Sequence, residues 1–425
     1  MMDILRKAPR PQSGRGAFLL AILMLTAPLA ACDTLDSVAD AVFGDPPKEH
    51  ITGTRISVLA LDHRLEADPA LANTEVRLPG PHTNTDWPQS GGFPNHSMQH
   101  LTLPATIAPA WRVNIGAGAS RYGRILSQPV VAAGRVYALD AQDVVVALDA
   151  KSGDELWSQD MQPATEPNPA FGGGVAVDGE RVYVATGYGQ VAALEAASGK
   201  EIWRQSVTAP IHAAPTVVAG RVFVITIENQ LVAFASADGK RLWAHNGIPE
   251  PAGLLGGASP AVDGNTLVTA YSSGEIFALR AENGRALWTD NLAAPRPVGA
   301  LAALADIRGR AVIDHGRVFA ISHSGRMEAI DERTGDRIWE QDIGGTHGPW
   351  LAGDYLYVLG NDNDLYCLTR EDGRVRWAAE LPRYENEEKK TGPIRWSGPV
   401  LVSDRLVVVA SSGEALSISP YTGKS

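Results

Sequence analysis

ALDAKSGDELW (147–157), ALEAASGKEIW (193–203), AFASADGKRLW (233–243), ALRAENGRALW (278–288), AIDERTGDRIW (329–339) and CLTREDGRVRW (367–377) decide the fold. Each begins as a short apolar strand, passes through a polar turn and ends on a Trp four residues after the turn Gly. That Gly sits where a positive φ is needed, so it marks a hairpin. Trp157, Trp203, Trp243, Trp288, Trp339 and Trp377 follow one another at spacings of 46, 40, 45, 51 and 38 residues. A period of that length, with several strands in each unit, reads as propeller blades. One isolated blade cannot bury the indole, so each Trp is expected to dock on the next unit, contributing roughly 2–3 kcal/mol of apolar burial.

Upstream of each turn lies a second recurring strand: GRVYALD (134–140), ERVYVAT (180–186), GRVFVIT (220–226), NTLVTAY (265–271), GRVFAIS (316–322), DYLYVLG (354–360) and DRLVVVA (404–410). These near-continuous apolar runs suit strands buried on both faces. The fold class is therefore all-β, a β-propeller of four-stranded blades. Trp111, in APAWRVNI, lies 46 residues before Trp157 and reads as an outer strand that closes the ring. SISPYTGKS (417–425) repeats the turn motif without a following Trp. Either the seventh unit closes on Trp111, giving seven blades, or the chain continues to eight; eight is expected.

The amino terminus reads as a sorting signal. Arg6, Lys7, Arg10 and Arg15 precede the apolar run Ala17–Ala27, which is too short for a stable span. The run leads to Leu29-Ala30-Ala31-Cys32, the spacing of a bacterial lipobox. Residues 1–31 are thus expected to be cleaved, and Cys32 to be acylated and to anchor the chain durably. Residues 32–54, acidic with Pro46-Pro47, read as a tether, and 55–425 as the propeller, with RISVLAL (55–61) a candidate strand. Four of the 37 basic and one of the 48 acidic residues fall within 1–31, so the remainder carries a surplus of 14 acidic charges. Such a surface repels phosphate backbones, which argues against nucleic acid.

Motifs for catalysis are sparse. With Cys32 committed to lipid, Cys367 stands alone, and neither a disulfide framework nor a cysteine metal site can form. The ten His are scattered without metal-binding spacing. Asn361-Asp362-Asn363-Asp364 is oxygen-rich but lacks the Gly and Glu of a calcium loop, so a polar hairpin turn is expected. Phe171-Gly172-Gly173-Gly174 precedes a strand with no Gly-Lys-Ser/Thr and reads as a connection between blades. No Gly-x-Ser-x-Gly elbow supports a hydrolase. The mixed charges of Glu385–Lys390 read as a solvated loop, with a basic partner the alternative. No catalytic residue, metal site or cofactor is expected.

The A-x-D-x-x-(S/T)-G-x-x-x-W repeat resembles the tryptophan-docking motif shared by pyrroloquinoline-quinone dehydrogenases and outer-membrane-assembly lipoproteins of the BamB type, over most of residues 86–425. The lipobox, the WPQSGG lead-in (87–92) and LADIRGRAVIDHGRVFAISHSGRMEAID (304–331) look most like BamB proteins of alphaproteobacteria. The resemblance implies a non-enzymatic subunit that binds the POTRA domains of BamA, other assembly subunits and unfolded outer-membrane proteins, at the periplasmic face of the outer membrane. Asp33, after the acylated Cys, leaves inner-membrane retention open. The alternative is a periplasmic quinone dehydrogenase, against which the missing pair of adjacent cysteines counts.

Two inter-blade loops are unusually apolar: IPEPAGLLGGAS (248–259) and APRPVGALAALADIRGR (294–310). Leu254 and Leu255 sit among glycines in the first, and Leu304, Asp306 and Arg308 follow two prolines in the second. Exposed Leu ringed by charge is the makeup of an interface centre. The resemblance implies BamA contact through these loops, with Leu254, Gly256, Leu304 and Asp306 matching. Leu255 stands where an Arg is expected, and Arg308 where a second acid is expected.

Overall fold

The computed structural model describes residues 65–106, 108–121, 123–293 and 304–425. The export signal, Cys32, the tether and the candidate strand 55–61 lie outside the described residues. In unit 1 the strands Val130–Ala132, Arg135–Leu139, Val144–Asp149 and Glu155–Asp160 pair antiparallel in chain order. Units 2 to 6 repeat this at 174–206, 216–246, 261–291, 312–341 and 350–380. Unit 7 has three strands, Trp396–Val402, Arg405–Ala410 and Ala415–Ile418, and a hairpin of Tyr384–Asn386 with Thr391–Pro393 sits before it. The second strands are those expected from the GRVYALD-type runs, buried from their second or third residue onward in units 1 to 5 and throughout in unit 6. β-Branched and aromatic side chains fill both faces of these strands, so the core lies between successive sheets, with one cluster joining units 1 and 2, another units 2 and 3, and so on round the ring.

Docking follows one geometry throughout. The indole Nε1 of Trp157 donates to the Ala196 carbonyl of unit 2 at 3.0 Å, and Trp203, Trp243, Trp288, Trp339 and Trp377 donate likewise to Ser236, Ala281, Glu332, Arg370 and Pro420. Each ring lies on the turn Gly of the next unit. A Cβ placed on Gly199 would stand 2.5 Å from the Trp157 ring, and one on Gly335 2.6 Å from Trp288. The Gly is thus demanded twice, by its positive φ of 73° or 80° and by the indole pressed on its Cα. Trp243 remains half-buried, whereas the other five are buried.

Trp111 is seated in the same way, on Gly153 of unit 1, with Nε1 donating to Ala150 at 3.1 Å. It occupies the position of an outer strand in a unit preceding unit 1. Among the described residues it pairs with no strand, the third strand of unit 7 included. The docking register therefore has eight positions, seven sheets and the Trp111 segment, in agreement with an eight-bladed ring. The seven-bladed alternative, in which the seventh unit closes on Trp111, falls away, and the expected eight blades stand.

The lead-in is far more than a turn-rich approach. First strands of neighbouring units lie against one another along the axis, and residues 87–103 wind round their inner rim in unit order. Trp87 exchanges both backbone hydrogen bonds with Val131 of unit 1, and Pro88 accepts from Val177 of unit 2. Gln89 grips Val217 of unit 3 with its amide, Nε2 donating to the carbonyl at 2.6 Å and Oε1 accepting the N–H at 2.9 Å. Pro94 and Asn95 accept from Val262 of unit 4 and Ile313 of unit 5. Gln99 accepts from Trp350 Nε1 and Gly353 of unit 6, and Leu101 bonds Leu401 and Ser403 of unit 7. This clasp supplies each short inner strand with partners that a propeller edge otherwise leaves to water.

Candidate functional site

In a four-stranded antiparallel unit the turns after the first and third strands share one face, and the turns after the second strand share the other with the connections between units. The clasp and the docking turns occupy the first face. The second is free, and there the loops 247–260 and 304–311 meet beside the turns 226–229 and 271–274, around a cavity of about 270 Å³.

One hydrogen bond joins the loops: the Leu254 N–H donates to the Asp306 carboxylate at 2.6 Å. Asp306 is buried, and burial pushes its pKa up against the opposing pull of that N–H and of Arg308. Its backbone carbonyl also receives the His323 N–H. Asp306 therefore holds the loop from inside, and its expected role as an exposed rim acid is corrected. Asn229 braces the other side, accepting from Ser272 and donating to Ile248 at 2.6 Å. Arg308 lies half-buried over Gly256, where a Cβ would stand 2.7 Å from its Nε, and burial lowers its pKa. Gly256 has φ +107°, so this packing needs glycine there.

Of the expected apolar residues, Leu255 is the exposed one, at 43%. Leu254 and Leu304 are half-buried, and Leu254 lines the cavity with Leu255. Ile227, 44% exposed, lines the cavity with Leu255 although it lies outside the two loops, and Ile248, 56% exposed, opens the first loop with its carbonyl on Asn229. A signal for Ile227 was present in the repeat. The corresponding turn position holds Ala141, Gly187, Ser272, His323 and Asn361 in other units, so an isoleucine there is the odd residue out. No group of three or more metal-ligating side chains lies together among the described residues.

Other candidates resolve into structural parts. Asn361–Asp364 is the turn after the second strand of unit 6, with Asp362 accepting from the Asp364 N–H and the Tyr366 hydroxyl. Phe171–Gly174 connects units 1 and 2 and stacks Phe171 on His212. Glu385–Lys390 forms the tip of the hairpin before unit 7. Cys367 is buried in the core, and burial drives its thiol pKa up. A second apolar feature runs round the rim: Leu156, Ile202, Leu242, Leu287 and Ile338, each preceding a docking Trp, are exposed on outermost strands that have a free edge.

Fold and site together define a tryptophan-docked β-propeller that offers one loop face with an apolar patch. The family model described as outer membrane protein assembly factor BamB matches residues 105–169 and 141–379, and the chain belongs to that family. The Escherichia coli (strain K12) BamB is 29% identical over 317 residues, covering 73% of this chain and 79% of that protein. The Salmonella typhimurium BamB is 28% identical with the same coverage. Among solved structures, BamB from Moraxella catarrhalis shares the fold at a TM-score of 0.58 and 20% identity, covering 68% of this chain and 86% of that one. A europium-containing methanol dehydrogenase shares it at 0.60 and 16%, covering 79% and 85%. As a member of this family the chain is an outer-membrane assembly factor, and no helix among its described residues is long and apolar enough to cross a membrane.

Proposed function

We propose that this chain is a non-enzymatic scaffold of outer-membrane β-barrel assembly that binds the POTRA domains of BamA through the loop face. Cys32 would carry the lipid that holds it at the periplasmic side of the outer membrane. The observation that carries the reading is the exposed pair Leu255 and Ile227 around one cavity, on a loop pair braced by Asp306 and Asn229. Exposed aliphatics on a rigid frame lose little entropy on docking, which is what an interface centre requires. Leu254, Leu304 and Arg308 form its partly buried border.

The rim supports a second contact within the same role. Free outer edges bearing Leu156, Ile202, Leu242, Leu287 and Ile338 suit pairing with an extended, alternating-apolar segment of an unfolded barrel protein. The redox alternative fits less well. The sequence has two cysteines, Cys32 and Cys367, so the adjacent pair that such dehydrogenases share has no counterpart here.

Co-purification with BamA tests the reading. Leu255→Asp is expected to weaken BamA capture at least tenfold, by burying a charge at the patch, while leaving the far-ultraviolet spectrum unchanged. Undiminished capture by a folded Leu255→Asp protein would remove the loop face from the proposal. Retained affinity for unfolded barrel segments after serine replacement of Leu156, Ile202 and Leu242 together would remove the rim.

A further inference from the structure

A small axial cavity is not used by partner binding. It is lined by Trp87 and His96 of the clasp, by Arg310 at the entry to unit 5, and by His347, Trp350 and Val400 from units 6 and 7. Arg310 presents a guanidinium whose hydrogen bond runs to the Ser90 hydroxyl at 3.2 Å. Among the described residues no carboxylate acts on it. Burial, and after it the charge of Arg308, lowers its pKa to about 10. A desolvated cation without a counter-ion is costly, and the cost falls if an anion enters.

His96 supplies the complement. It is 7% exposed, and its Nδ1 lies 2.7 Å from the Ala311 carbonyl, which assigns the proton to Nδ1 and leaves Nε2 as an acceptor. Nε2 is buried with no partner. Burial and the charge of Arg310 hold the imidazole neutral, with a pKa of about 3. The two groups are close. A Cβ on Gly91 would stand 2.8 Å from His96 Cδ2 and 3.0 Å from Arg310 Nε, so both flank one point of the clasp.

We propose that this cavity binds a small free oxyanion that also carries an O–H, dihydrogen phosphate being the simplest. Its charged oxygens take the N–H groups of Arg310, and its O–H donates to Nε2 of His96. The cavity of about 70 Å³ has room for one such ion, and the clasp closes it on one side. Sulfate offers Nε2 only lone pairs, so it leaves the histidine unsatisfied and is the discriminating competitor.

Trp87 and Trp350 line the cavity with ring centroids 6.3 Å apart, so indole fluorescence reports on occupancy. Titration of the full chain with inorganic phosphate at low ionic strength should give a saturable change, with sulfate at least about tenfold weaker. Arg310→Gln should weaken phosphate at least about tenfold. Should that variant fail to fold, His96→Phe keeps the ring shape while abolishing the preference for phosphate over sulfate. A flat phosphate titration would overturn the site, and equal response to sulfate would overturn the O–H donor. Glycerol 3-phosphate binding as tightly as phosphate would overturn the free ion as ligand.

Discussion

Replacing Gln89 by Ala isolates what the clasp contributes. Gln89 is buried, and its amide bonds both the N–H and the C=O of Val217, itself buried in the inner strand Thr216–Val218. That strand pairs on its other side with Arg221–Ile225, so alanine leaves two backbone groups of Val217 unpartnered. Each costs about 1–3 kcal/mol when buried. Against this, alanine returns about 1.5 kcal/mol of side-chain freedom that glutamine loses on folding. The net loss is about 3 kcal/mol. Melting midpoints of domains of 150–250 residues move about 2–4 °C per kcal/mol, and a larger ring moves less, so a drop of about 3–6 °C is expected. Thermal unfolding followed by circular dichroism measures it, and hydrogen exchange at the Val217 amide localises it. A Gln89→Ala protein melting within 1 °C of the parent (a margin well below the shift of about 3–6 °C just derived), with Val217 equally protected, would refute the clasp as a source of stability.

Trp288→Ala should cost about 3–5 kcal/mol, because it removes a buried indole and its bond to Glu332. Trp243→Ala should cost less in the same denaturation series, since Trp243 is only half-buried. Glu328 makes a pH prediction. It is fully buried, and burial, reinforced by the charge of Asp290, raises its pKa to about 8. The folded state then holds a proton that the unfolded chain releases near its ordinary value of 4.5. Its contribution is complete below that value and declines as pH rises toward about 8. Glu328→Gln should therefore flatten the fall in melting temperature between those limits, and an unchanged slope would count against a protonated Glu328.

The repeat was legible in the sequence because docking Trp and turn Gly recur at a fixed offset, and because the apolar second strands cannot face water. What the offset concealed was the partner of each indole. Trp157 rests on Gly199, two members of the same motif in neighbouring units, a relation visible only once the ring is closed. The clasp was hidden for a different reason. DWPQSGG has the composition of a turn, and its hydrogen bonds go to strands 44 to 128 residues away, which no local pattern encodes. The candidate face was half legible. Of the leucines in the glycine-rich loop, Leu255 is exposed and Leu254 half-buried, whereas the loop acid Asp306 is buried, because composition alone does not show which way a loop charge turns. The 2.6 Å bond from Leu254 to Asp306 turns that acid inward.

The two faces of the ring divide labour as a consequence of strand direction. Turns after first and third strands carry the glycines, the indoles and the clasp, so that face is committed to holding seven sheets together. Connections after second and fourth strands also join neighbouring units, as Asp143 joins Gly187 and Asn229 joins Ser272, yet they differ from unit to unit in length and in exposed apolar surface. A clasp that visits units 1 to 7 in order can complete its bonds only after unit 7 has formed, since Leu101 needs Leu401 and Leu103 needs Ser403. These contacts span about 300 residues, and their closure entropy falls on a late step of folding. Rigidity of the loop face, which docking requires, thus rests on its own braces, Leu254 to Asp306 and Asn229 to Ile248, and on the clasp, which reaches the entry to unit 5 through Ser90 and His96.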